Sequence, residues 1–109
     1  MFIATYEALA KGGVGLIVTG HAYVIGNGKA SPTMLGVYDD SLVPGLKRLV
    51  DTVHQYDSRI VMQINHMGRQ TAFSTIGETP VAPSVLHNPM AQETSRALTE
   101  EEIEELIEA

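Results

Sequence analysis

The side chains best suited to chemistry follow one short apolar segment. Residues 59–64 have the composition of a strand, and polar side chains are concentrated at its end, in Gln63, Asn65, His66 and Arg69. In parallel α/β proteins, ligands bind at the carboxyl ends of strands, because strand ends and the following loops converge there. An amide, an imidazole and a guanidinium at such an edge are typical of a binding site rather than of a core.

A helix, a strand and a second helix are predicted ahead of this segment. Residues 3–11 have the pattern of a helix that is ended by a glycine pair. Residues 14–19 form an uninterrupted apolar run, which predicts a parallel strand buried on both faces. An amphipathic helix is predicted to begin at residue 40 or 41 and to end near Gln55. The order strand, helix, strand predicts a βαβ unit with parallel strands and a right-handed crossover.

The rest of the chain is predicted as two long loops and one further helix. Residues 20–40 and 71–97 show no sustained period and contain turn residues and prolines. Thr99 followed by Glu102 is a capping box, which predicts a helix beginning there. The expected buried stripe of that helix consists of Ile103, Leu106 and Ile107.

Composition excludes several classes of protein. Six of the thirteen acidic residues lie in the last ten positions, and the remaining seven balance seven Lys plus Arg, so no basic patch suggests nucleic-acid binding. The absence of cysteine excludes disulfides and cysteine-ligated zinc and is compatible with a reducing cytoplasm, the expected location. No segment approaches the roughly 18 apolar residues of a membrane span.

A single βαβ unit cannot cover both faces of a parallel sheet, and two strands leave unpaired edges. The chain also begins within a helix pattern and stops while another apolar stripe is still running. We therefore expect residues 1–109 to be one partial domain of a larger α/β protein, truncated at both ends.

Several motifs occur together in a recognisable order. Residues 63–69, Gln-Ile-Asn-His-Met-Gly-Arg, are similar to a Gln-Leu-x-His-x-Gly-Arg signature, and residues 12–24, 35–40, 81–84 and 98–103 match the blocks around it. This series resembles the old yellow enzyme family of flavin-dependent ene-reductases and NADH:flavin oxidoreductases. The resemblance covers almost the whole chain.

The resemblance implies an α/β fold, an eight-stranded (β/α)8 TIM barrel that holds FMN at its carboxyl face. This chain would supply roughly strands 2 and 3, the helix between them and the start of the next helix. The implied reaction passes a hydride from NAD(P)H to FMN and then to an activated alkene, a small-molecule substrate. The resemblance leaves open the physiological substrate, the choice between NADH and NADPH, an appended iron–sulfur domain and a homo-oligomeric state.

Gln63 is the leading cofactor-binding candidate. By the family match its amide hydrogen-bonds the pyrimidine edge of the isoalloxazine ring. A side-chain amide can donate and accept at once, which fits the alternating carbonyl and N–H groups of that edge. The alternative role is that of an exposed glutamine at a strand end.

Four further candidates surround Gln63 by the same match. Gly20 and His21 end the preceding strand, where the family has a flavin contact that often comes from a small residue; an ordinary loop histidine is the alternative. Arg69 either places positive charge near the reduced flavin or pins the loop by bonding carbonyls. For His66, loop scaffolding and pocket lining are equal alternatives.

No residue of this chain is assigned as a proton donor or other catalytic group. Four histidines without cysteine or a His-Glu-x-x-His spacing do not predict a metal site, and His54 and His87 are expected on the surface. Because the family's phosphate-binding strands would lie beyond Ala109, we expect weak or no FMN binding and no activity from this chain alone.

Two other functions are compatible with the sequence. One is a cofactor-free (β/α)-barrel enzyme, which would need a lysine or paired carboxylates at strand ends. Lys11 and Lys29 do not lie at strand ends. The other is a non-catalytic fragment that acts through association, if at all.

Overall fold

A three-stranded parallel sheet organises the chain, of which a computed structural model describes residues 3–109. The strands are β1 (Leu16–Tyr23), β2 (Leu35–Gly36) and β3 (Arg59–Asn65), and β1 lies in the centre. Both neighbours of β1 run parallel to it. The strand–helix–strand order predicted this orientation for β3, whereas β2 was not predicted. Within residues 3–109, no helix combines the length and apolar character that crossing a bilayer requires.

Two helices, α1 (Ile3–Lys11) and α2 (Val43–His54), pack on one face of this sheet. The core between them consists of Ala10, Ile17, Leu49 and Val53. Gly13 ends α1 with φ of 97°, in agreement with the predicted glycine stop. Helix α2 begins later than predicted, because residues 40–42 form a 3-10 turn that the Asp39 side chain caps through the Ser41 N–H.

Strand β1 differs from its prediction in extent and in burial. It begins at Leu16 and continues to Tyr23, so the loop predicted from residue 20 starts too early, and Gly20 and His21 lie within the strand rather than at its end. Its side chains alternate, with Ile17 and Thr19 buried while Leu16 and Val18 are 56% and 58% exposed. The prediction that both faces are buried is therefore wrong for this chain, because helices cover only one face.

The loops predicted at residues 20–40 and 71–97 contain short regular elements. The first contains a 3-10 turn at Gly26–Gly28 and strand β2. The second contains α3 (Phe73–Ile76) and four two-residue strands: β4 (Val81–Ala82), β5 (His87–Asn88), β6 (Glu93–Thr94) and β7 (Arg96–Ala97). Strands β4 and β7 pair in parallel, and β5 and β6 form an antiparallel pair.

The last helix, α4 (Glu100–Glu108), begins at the capping box that the sequence predicted. The Thr99 hydroxyl accepts the Glu102 N–H, and the Glu102 carboxylate accepts the Thr99 N–H. The prediction of a buried stripe is wrong, since Ile103 and Ile107 are 43% and 69% exposed and no α4 residue is buried. Nothing in residues 3–109 packs closely over this helix face.

Candidate functional site

A bulge in β1 places His21 beside Gln63. Val18 is the register partner of Val61, but three residues further along β1 His21 is the partner of Gln63, only two residues further along β3. The extra β1 residue interrupts the ladder at Thr19 and Gly20.

Two side chains satisfy the backbone groups that the bulge leaves unpaired. The buried Thr19 hydroxyl accepts the Gln63 backbone N–H at 3.0 Å. The Gly20 N–H donates to the Tyr6 hydroxyl on α1 at 2.9 Å. Sequence reasoning missed both residues, because the need for these partners follows from the strand register.

The side chains of His21 and Gln63 lie on the sheet face that no helix covers. Val18 and Val61, which precede them on the same face, are 58% and 48% exposed, so an apolar surface adjoins the two polar side chains. Within residues 3–109, neither the Gln63 amide nor the His21 ring has a hydrogen-bond partner, and both residues are exposed. The Gln63 amide is therefore available to donate and to accept.

A cleft of about 410 Å³ opens beside the end of β1. Gly20 and His21 form its wall on the strand side, and most of its lining is apolar. The other lining residues come from β2 and from the loop that leads into it: Ala30, Ser31, Thr33, Met34 and Leu35. The cleft gives the carboxyl end of β1 a concave surface, which is the usual form of a small-molecule site.

The His66 ring joins the turn after β3 to the loop after β1. Its Nε2 lies 2.9 Å from the Asn27 side-chain oxygen, and its Nδ1 accepts the Gly68 N–H at 2.9 Å. Burial lowers the pKa of His66 below its ordinary value, because the charged imidazolium is less well solvated there. The Nε2 contact therefore links the two loops, and the Nδ1 contact fixes the turn that carries His66.

The Arg69 guanidinium reaches the β5–β6 pair. It donates to the His87 carbonyl at 3.1 Å, and the Asn88 amide donates to the Arg69 carbonyl at 2.8 Å. These contacts correspond to the loop-pinning alternative. His54 and His87 are exposed, as predicted.

Tyr23 and Tyr38 stack beyond His21 at the end of β1, with ring centroids 5.0 Å apart. Burial and the neighbouring Tyr38 raise the pKa of Tyr23. The Lys29 Nζ lies 5.8 Å from the centroid of the Tyr23 ring, an attractive cation–π arrangement. The predicted candidates thus lie near the ends of β1 and β3, where several contacts hold the following loops.

The sequence of this chain is similar to those of known proteins. The family model described as NADH:flavin oxidoreductase / NADH oxidase matches residues 1–109. The chain is 42% identical over 105 residues to an NADH oxidase of Thermoanaerobacter brockii, a match that covers 94% of this chain and 16% of that protein. It is 39% identical over 102 residues to an NADPH dehydrogenase of Clostridium acetobutylicum, covering 94% of this chain and 30% of that protein.

The fold is similar to that of a solved old yellow enzyme homologue from Zymomonas mobilis. The TM-score is 0.86 with 26% identity, over 99% of this chain and 33% of that one. This chain therefore spans between about a sixth and a third of the length of these three proteins.

Proposed function

Because the chain belongs to the NADH:flavin oxidoreductase / NADH oxidase family, we propose that it forms part of an FMN site in an oxidoreductase of the old yellow enzyme type. In this proposal β1 and β3 are the second and third strands of a (β/α)8 barrel. The uncovered sheet face is then directed towards the barrel interior. His21 and Gln63 each lie two residues before the carboxyl end of their strand, close to where barrel enzymes bind ligands.

The observation that carries the proposal is the pairing of His21 with Gln63 on the uncovered sheet face. The Gln63 amide is exposed and has no partner within residues 3–109, so it can meet a ligand edge that offers both acceptors and donors. The apolar surface of Val18 and Val61 beside it suits a planar ring with a polar edge. The residues present therefore fit the pyrimidine side of a flavin.

The residues divide into two groups by task. Gln63 orients the ring by hydrogen bonds, and the backbone at Gly20 and His21 closes the strand end beside it. His66 and Arg69, whose side chains bond to neighbouring loops, hold the mouth of the site in shape, and Arg69 also brings positive charge to that edge. The bound flavin would carry hydride between NAD(P)H and a small-molecule substrate such as an activated alkene.

A chimera tests this proposal in a complete barrel. Residues 3–109 would replace the matching segment of the Clostridium acetobutylicum NADPH dehydrogenase, and FMN content would be measured by absorbance and dissociation by fluorescence. We expect the chimera to retain FMN. Gln63→Leu should weaken FMN binding about tenfold or more, since it removes donor and acceptor together.

Gln55→Leu is the matched control, because Gln55 is an exposed glutamine that ends α2. It should bind FMN as the unmodified chimera does. Equal FMN affinity for Gln63→Leu and Gln55→Leu would refute the role of Gln63. For the chain of 109 residues alone, we expect weak or no FMN binding.

A further inference from the structure

The loop after β1 returns to the turn after β3 at one cluster of residues. The cluster, which we call the clasp, consists of Asn27, Gly28, His66 and Gly68. Besides the two hydrogen bonds of the His66 ring, the Met67 N–H donates to the Gly28 carbonyl at 3.0 Å. The clasp therefore joins the segments that follow His21 and Gln63.

The ring packs directly on the Gly28 backbone. A Cβ at Gly28 would lie 2.7 Å from the His66 Cδ2, which is closer than real Cβ contacts come. At Gly26, two residues away, a Cβ would meet nothing within 4 Å. The close approach fixes the ring plane and lets its two nitrogens reach partners on different loops.

These partners determine the protonation state of the ring. A backbone N–H can only donate, so the Nδ1 that accepts the Gly68 N–H must carry a lone pair. The ring proton of the neutral imidazole then lies on Nε2 and is donated to the Asn27 oxygen. In the imidazolium both nitrogens carry protons, and the Nδ1 proton would face the Gly68 N–H.

We propose that His66, in its neutral form protonated at Nε2, is the positioning residue that joins the two loops of the site through Asn27, and that its protonation breaks the Nδ1–Gly68 bond that fixes the turn after β3. The inference rests on the proposed function only in identifying the site as a flavin site. The clasp itself can be measured without any flavin.

The charged groups near the clasp do not stabilise the protonated His66 ring. The nearest in sequence, Lys29 and Arg69, are cations that contact the Tyr23 ring and the His87 carbonyl. Helix α3, which packs near the 26–28 turn, has no titratable side chain, and the Glu93 carboxylate beside it accepts the Phe73 N–H. Within residues 3–109 no carboxylate lies within ion-pairing distance of the His66 ring.

Nitrogen NMR of the 109-residue chain tests the tautomer. We expect Nδ1 of His66 to show the shift of an unprotonated nitrogen and Nε2 that of a protonated one near neutral pH. The Gly68 amide should be protected from exchange at high pH and lose about tenfold or more of its protection as His66 titrates. The proposal would be overturned if His66 showed the opposite tautomer, or if all four histidines shared one spectrum typical of an unfolded chain. It would also be overturned if the protection of the Gly68 amide did not change as His66 titrates.

Two variants separate a positioning role from a merely structural one. Asn27→Asp places a carboxylate at Nε2–H, which should raise the pKa of His66 and move loss of Gly68 protection to higher pH. His66→Asn can still accept the Gly68 N–H but does not titrate, so its Gly68 protection should become independent of pH in this range. His54→Asn, at an exposed site, should leave both properties unchanged. A His66→Asn protein that keeps the original pH dependence would refute the proposal.

Riboflavin added to the same samples reports on the proposed function separately. Shift changes at Gln63 and His21 would support the flavin site, and their absence would count against it without affecting the clasp. If the clasp shapes the flavin site, the shift changes caused by riboflavin should become smaller when His66 is protonated. Undiminished changes below its pKa would overturn the link between clasp and site.

Discussion

Thr19 is a small residue on which the geometry of the candidate site depends. Its hydroxyl occupies the gap in the β1–β3 ladder and accepts the Gln63 N–H at 3.0 Å, while the residue itself is 3% exposed. Without that acceptor the N–H of the leading site residue would be left unpaired in a partly buried position. The bulge that brings His21 level with Gln63 therefore depends on the Thr19 hydroxyl together with the Tyr6 hydroxyl.

Thr19→Val tests this dependence, because valine has nearly the shape of threonine and lacks the hydroxyl. We expect a loss of about 1–3 kcal/mol in the free energy of unfolding, since a backbone donor loses its partner. Urea unfolding followed by circular dichroism measures the change. Thr52→Val on α2 is the control, because the Thr52 hydroxyl only back-bonds to the Arg48 carbonyl within the helix. Equal stability of the two variants would contradict the role of Thr19.

Gly28 offers a second test at the residue scale. Gly28→Ala would press a methyl group against the His66 ring, where a Cβ would lie 2.7 Å from Cδ2, so the ring or the turn must move. We expect a cost of about 1–3 kcal/mol in unfolding free energy, typical of overpacking. Gly26→Ala, in the same turn with open space around its Cβ, should change stability little. The proposal of a tight clasp fails if both variants unfold at the same urea concentration.

At the residue scale, sequence reasoning selected the candidate residues but not the side chains that support them. Gln63 and His21 were predicted from motif and strand end, and the structure places them side by side. The supporting roles of Thr19, Tyr6 and Asn27 were not predicted, because each bonds a residue at least 14 positions away. Local patterns carry no information about such partners.

At the element scale, long periodic segments were predictable and short strands were not. Helices α1, α2 and α4 and strands β1 and β3 were all predicted, with boundary shifts. The two-residue strands β2 and β4 to β7 were assigned to loops, because two hydrogen-bonded residues have no period to detect. Their pairing is decided by contacts between segments that lie apart in the sequence.

The N-terminus of α4 gives a prediction about pH. A hydrogen bond from the Arg96 guanidinium, and then one from the Thr99 N–H, lower the pKa of Glu102 to about 2. A carboxyl whose folded-state pKa is depressed contributes stability that is present above its unfolded value and is lost as pH falls through the folded value. The capping contribution should thus decline as pH falls below the ordinary value of 4.5 and disappear at about pH 2.

Arg96→Gln removes the largest cause of this shift. We expect the pKa of Glu102 to rise towards that of an ordinary glutamate, so that α4 begins to fray at a higher pH than in the original chain. A carbon NMR titration of the Glu102 carboxyl measures this directly. Arg48→Gln on α2 is the control and should leave the Glu102 titration unchanged. An unaltered Glu102 pKa in Arg96→Gln would show that the ion pair at 2.7 Å has no effect in solution.

At the scale of the whole molecule, the chain is extended for its length. Its radius of gyration is 16.1 Å, against about 13 Å for a compact domain of this size. Helices cover one sheet face, and the apolar side chains of Leu16, Val18 and Val61 are exposed on the other. An exposed apolar sheet face with an unpaired strand edge favours association with other chains.

We therefore expect the isolated chain to self-associate through this face as its concentration rises. Val18→Glu puts a charge in the middle of this exposed apolar face. Because Val18 is already 58% exposed, the substitution should leave the monomer folded. Sedimentation should shift towards monomer. Val43→Glu is the matched control: Val43 is similarly exposed, at 53%, but lies at the start of α2, where a carboxylate suits the helix terminus. It should change net charge equally and leave association unaltered. If both variants dissociated equally, the effect would be due to net charge. If the original chain were monomeric at all concentrations, the uncovered face would not drive assembly.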